Sequence, residues 1–148
     1  MGKALGHLMG WFEVYLKHKD IITKKIEKIE RKDGMFEVTY KDKLKHFYFF
    51  LDVADADFDS LEKDDTASVV LIHSEHNFKK LIDLWPKLIK NPKLCVYSVN
   101  PFSQMDNKWI IFPYTHHQIS DPDSLKAGLR SMFDTVDPIS IQEYEGKV

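Results

Sequence analysis

Apolar residues along this chain follow two periodicities. Leu5, Leu8, Phe12, Tyr15 and Leu16 recur at three- and four-residue spacing while Glu13, Lys17 and Lys19 fall elsewhere, which predicts an amphipathic helix over 4–18. Residues 21–31 serve either pattern: Ile22, Ile26 and Ile29 suit a helix, while the β-branched content and the turn that comes next favour a strand. Asp33-Gly34 is a type I′ hairpin signal, and the alternating Phe36-Glu37-Val38-Thr39-Tyr40 comes after it. Lys41-Asp42-Lys43 makes a second polar turn before the run from His46 to Val53. These segments predict a three-stranded antiparallel meander whose last strand is apolar on both faces and therefore central.

The second half alternates strands and helices. Ala67–Ile72 reads as a buried strand. Ser74 then caps a helix with the stripe Phe78, Leu81, Ile82, Trp85, Leu88 and Ile89, interrupted by Pro86, which breaks or restarts it. Strands are expected over 94–99 and 109–114, then a last helix with Asp121 as cap, Pro122 at its first position, and Leu125, Leu129, Met132 and Phe133 on its buried face. Residues 138–148 read as a C-terminal tail. The fold class expected is mixed α/β: a central mixed sheet of about six strands that begins with an antiparallel meander, flanked by about three helices.

Composition narrows the class without naming an activity. The 148 residues are 43% hydrophobic and carry 21 Lys+Arg against 23 Asp+Glu, for a formal charge of -2. That excludes a disordered chain and fits one globular domain over 1–148. A single cysteine, Cys95, excludes an intrachain disulfide framework and a Cys-based zinc site, and a reducing, cytoplasmic location is expected. No apolar run reaches the length of a membrane span, so no membrane partner is expected. The apolar start from Met1 to Trp11 mimics a signal peptide, but Glu13, Lys17 and Lys19 come at once without a small-x-small cleavage site, so it reads as part of the fold.

Charge is unevenly placed. Residues 17–46 hold ten Lys and Arg against six Asp and Glu, whereas 47–66 hold one lysine against seven carboxylates. Lys41, Lys43 and Lys45, interleaved with Tyr40 and Tyr48, form a candidate nucleic-acid contact. The near-neutral total opposes a dedicated basic face. The carboxylates from Asp52 to Asp65 lack an EF-hand's glycine and terminal glutamate and read as a solvated acidic loop. Asp52 stands apart because it closes a buried strand. Together with Glu13, His73 and His76 it forms a candidate divalent-metal set, carboxylate oxygens and imidazole nitrogens being the ligands such ions take. His116-His117 is a weaker pair, since neighbours on a strand point to opposite faces. No nucleophile elbow, phosphate-binding loop or dinucleotide fingerprint is present, and no organic cofactor is expected.

The order helix, three-strand meander, strand, helix, strand, strand, helix resembles the core of the PD-(D/E)xK nuclease-like superfamily, with the correspondence covering roughly residues 4–115. In active members an acid on the first helix, an Asp near a hairpin and an E-x-K strand bind Mg²⁺ and position a water. The resemblance places Glu13 at the helix acid and Asp33 or Asp52 at the Asp. The E-x-K is missing, because Phe50-Leu51-Asp52-Val53 and Val70-Leu71-Ile72-His73 carry no lysine two residues beyond a carboxylate. The resemblance therefore implies a non-catalytic binding or assembly module that contacts a protein partner, itself or nucleic acid. The alternative is a metal-dependent hydrolase or nuclease using Asp52, Glu13 and His73 or His76.

Overall fold

Alternation in the first half builds one side of a six-stranded mixed sheet, and the continuous apolar runs build its centre. A computed structural model describes residues 2–148. Helix α1 (Lys3–Lys19) buries Leu8, Met9, Phe12 and Leu16. Beyond it the Asp20 carboxylate accepts the backbone N–H of Lys25 and Ile26 and the Thr23 hydroxyl, while Lys24 takes a left-handed φ of 49°. This clasp reverses the chain into β1 (Ile26–Lys32), so the ambiguous segment 21–31 is a strand only from Ile26 onward, and 21–25 with Ile22 forms the turn. Gly34 at φ 68° makes the tight turn into β2 (Met35–Tyr40), and β3 (Leu44–Phe50) runs antiparallel to it.

Strands β4 (Ala67–Ile72) and β5 (Cys95–Val99) continue the sheet parallel to β3, and β6 (Lys108–Ile111) closes it antiparallel to β5, in the spatial order β1-β2-β3-β4-β5-β6. Every residue of β4 and β5 is buried, as their uninterrupted apolar character requires. One face packs on α1 and on α7 (Ile141–Lys147). The other packs on α2 (Phe58–Leu61), α3 (Glu75–Asp83), α4 (Trp85–Leu88) and α6 (Leu125–Phe133). Phe12 anchors the first layer, its ring centroid 5.0–5.6 Å from those of Tyr15, Phe47, Phe49 and Tyr97.

Seven α-helices stand among the described residues where about three were expected. Short helices inside connections account for the difference. Asp57 caps α2 within the acidic stretch, so that stretch is not a plain solvated loop. Pro86 restarts the helical run as α4. The strand expected over 109–114 ends at Ile111, because Pro113 opens α5 (Pro113–Ile119) and carries His116 and His117 onto a helix. Asp121 turns onto the N–H of Asp123 instead of capping, and α6 begins only at Leu125. The expected tail from 138 onward forms α7 behind a Ser140/Glu143 capping box, with Tyr144 fully buried. A single buried tyrosine in an otherwise polar segment leaves little periodicity to read.

Candidate functional site

The parallel strands β3, β4 and β5 give the sheet two ends of opposite character. Past their C-terminal ends, Asp52 comes after β3 and the Ser74-Glu75-His76 turn after β4. Buried Asn77 joins these ends: its amide donates to the carbonyls of Leu51 and Ile72, and its oxygen accepts the N–H of Val53. Ser74 caps α3 by accepting the N–H of Asn77. Asp52 caps the next 3-10 turn through Ala54 N–H, and His76 Nε2 donates to it at 3.1 Å. A cleft of about 640 Å³ lies between these residues and the stretch from Pro138 to Glu143.

Of the proposed metal set, the structure brings only Asp52 and His76 together. Glu13 sits on α1 in the opposite layer, bonded to Lys17 at 2.9 Å. His73 is fully buried: Nε2 donates to the Phe133 carbonyl at 2.9 Å, which makes Nδ1 the acceptor for the Ser98 hydroxyl at 2.7 Å. Burial, opposed by the Phe133 carbonyl, holds this imidazole below its usual pKa and so neutral. Both ring nitrogens are used, and the ring stacks on Phe133 at 4.1 Å. Among the described residues, no three His, Cys, Asp or Glu side chains converge as a metal site. Glu75 is held by a two-pronged contact from Arg130, and each of the cleft's best-placed acids thus has a partner.

At the other end, by the starts of β3 and β5, a pocket of about 230 Å³ opens on the α1 face. Buried Leu16, Phe47 and Tyr97 form its floor, and exposed Lys19, Lys25 and Lys43 stand at its rim. Lys45 and Tyr40 are half-buried between floor and rim. Among the described residues neither the Lys45 ammonium nor the Tyr40 hydroxyl has a hydrogen-bonding partner. Burial first, and then the neighbouring Lys43 and Lys19, pull Lys45 below the ordinary lysine range. Burial pushes the Tyr40 hydroxyl up to about 12, and the Cys95 thiol beside Tyr97 up to about 11, so Cys95 is an inert core thiol. Lys43 lies over the Tyr40 ring at 5.6 Å, and Lys108 over Tyr15 at 4.8 Å.

Among the described residues, the only carboxylate that lines this pocket is Asp20, whose oxygens are engaged by the turn beyond α1. Four lysines against one acid leave a local charge of +3, and the partial negative charge at the C-terminus of α1 does not cancel it. Of the three lysines singled out from sequence, Lys43 and Lys45 line the pocket, whereas Lys41 lies on the outer turn with its N–H given to the Lys25 carbonyl. Lys19, Lys25 and Tyr97 are additions from the structure. Nothing in their spacing links them, since they reach the pocket from the end of α1, the chain reversal and β5.

A third polar cluster lies across β2 and β3 on the other face. His46 Nδ1 is 3.0 Å from Asp64 and 2.7 Å from the Thr66 hydroxyl, its Nε2 is 3.5 Å from Glu37, and Tyr48 donates to Asp64. Burial alone would raise the Asp64 carboxyl, but the hydrogen bonds from Thr66 and Tyr48 and the charge of His46 hold it below the usual range. This network fastens the meander to the connection before β4, and every member has a partner. No family model, curated protein or solved structure matches the chain. No helix among the described residues is long and apolar enough to cross a membrane.

Proposed function

We propose that this protein is a non-catalytic binding module that holds phosphate groups of nucleic acid in its lysine pocket. Lys43 and Lys45 make the central contacts, Lys19 and Lys25 flank them, and Lys41 extends the contact along the outer turn. The observation that carries this reading is Lys45, a half-buried ammonium with no anionic partner beside other lysines that repel it. Such a group destabilises the empty pocket and is relieved by an anion. The Tyr40 ring, which lines the pocket beneath Lys43, adds an aromatic surface beside the phosphate site.

The element order of the nuclease-like superfamily is consistent with a nucleic-acid partner. Among the described residues that line the pocket, the one carboxylate, Asp20, accepts three hydrogen bonds from its own turn, which supports binding without cleavage. Fluorescence anisotropy with single-stranded and duplex oligonucleotides from 50 to 200 mM salt tests the reading. Binding should weaken steeply with salt, and K43A/K45M should flatten the logarithmic salt slope by about 2, one for each phosphate that the pocket no longer neutralises. No binding at 50 mM salt, or an unchanged slope in the double variant, overturns it.

A further inference from the structure

The shape of the lysine pocket is as informative as its charge, and the identity of the end it takes rests on the phosphate-binding proposal. A groove that tracks a continuous phosphodiester backbone keeps its cations exposed along a line. Here the cations are stacked in depth, with Lys19, Lys25 and Lys43 at the rim and Lys45 recessed toward a floor of Leu16, Phe47 and Tyr97. The volume of about 230 Å³ falls below the range of roughly 300–1000 Å³ typical of sites that enclose a drug-sized ligand. It admits a phosphate group with little attached, and the floor stops a chain from running through.

We infer that the pocket is an end-recognition site, in which Lys45, Lys43 and the Tyr40 hydroxyl take the terminal phosphomonoester of a nucleic-acid strand while the other two rim lysines, Lys19 and Lys25, hold the adjoining backbone. A monoester carries about 1.5 to 2 negative charges near neutral pH, against about one for an internal diester, and offers three terminal oxygens instead of two. The recessed ammonium and the unpartnered Tyr40 hydroxyl are donors for the extra oxygen. The +3 balance of the pocket accommodates the extra charge.

The test compares one oligonucleotide sequence with a 5′-phosphate, a 3′-phosphate or hydroxyls at both ends, by anisotropy at 100 mM salt and pH 7.5. One phosphorylated form should bind at least tenfold tighter than the hydroxyl form, and K45M should abolish that preference while retaining the weaker backbone affinity. Inorganic phosphate and a mononucleotide serve as competitors. If all three oligonucleotides bind equally, end recognition fails while the phosphate-binding proposal stands; if none binds, both fail. If inorganic phosphate displaces the phosphorylated strand at equal affinity, the ligand is free phosphate, and the strand-end assignment is overturned. Urea unfolding of K45M checks that it folds; should it not, K25A/K43A, which changes only exposed side chains, must reduce the preference for the phosphorylated end, and an undiminished preference overturns the assignment.

Discussion

The two ends of the parallel strands differ in how their charges are satisfied. Past the C-terminal ends, Asp52 is met by Ala54 N–H and His76, Glu75 by Arg130, and the strand ends are joined by Asn77. At the N-terminal ends, among the described residues, the Lys45 ammonium and the Tyr40 hydroxyl meet no hydrogen-bonding partner, and Lys43 and Lys19 repel Lys45. The acidic end is the larger cleft and, in sequence, the more conspicuous cluster. Partnered charge there maintains the fold, whereas unpartnered charge at the basic end is what a ligand can use.

The contrast breaks most easily at Asn77. N77A leaves the carbonyls of Leu51 and Ile72 and the N–H of Val53 without their partner, so urea unfolding should show a drop in stability of about 3 kcal/mol or more. A near-neutral result would mean that the acidic end is not a structural clasp. K45M should do the reverse, reducing affinity for a phosphorylated strand at least tenfold while stability is unchanged or raised by up to about 1 kcal/mol. Clear destabilisation would make Lys45 a structural residue.

Acid sharpens the same distinction. His73 has a folded pKa below its unfolded value near 6.5, so the unfolded chain takes up this proton first as pH falls. Its contribution to stability is complete above about pH 6.5 and is lost as pH drops from there toward the lower folded value. Asp64 is likewise depressed, so its contribution is complete above about pH 4 and lost below it. Urea midpoints between pH 8 and pH 3 should fall in these two steps, and the ring carbons of His73 should titrate below the free-histidine value by NMR. Titration of His73 at the free value would mean that it is not held neutral. The smallest effect is expected at Glu13: E13Q removes an exposed i,i+4 pair with Lys17 and should cost about 0.3 kcal/mol in urea unfolding. A cost above about 1 kcal/mol would give Glu13 a role that its position on α1 does not show.

Much of the architecture is legible where apolar positions are many and periodic. Leu8, Phe12 and Leu16 announce α1, the runs of β4 and β5 announce buried strands, and Asp33-Gly34 announces its turn. Elements fixed by one or two residues are not legible in this way. The α7 helix hangs on Tyr144 and a capping box, and α5 on Pro113. The lysine pocket is half legible: Lys43 and Lys45 lie close along one hairpin, but Lys19, Lys25 and Tyr97 join them only through tertiary structure. His73 shows the converse. Its place between a strand and a helix suggests chemistry, yet burial and the Ser98 and Phe133 contacts make it a core residue, and no local pattern reports a partner 60 positions away.

The strap that leaves α6 has a consequence for synthesis on the ribosome. The carbonyl of His73 accepts the N–H of Ile139, the ring of His73 lies against Phe133, and Val136 is wholly enclosed. His73, the residue just past β4, therefore waits for residues made some sixty positions later before its polar groups are closed off. A nascent chain with Trp109 already outside the ribosome and Phe133 still within the exit tunnel would display Phe78 and Trp109 without the Phe133 that packs on them, an exposed apolar surface of the kind chaperones hold. Release of the strap completes the molecule, and its arrival marks the end of that vulnerable interval.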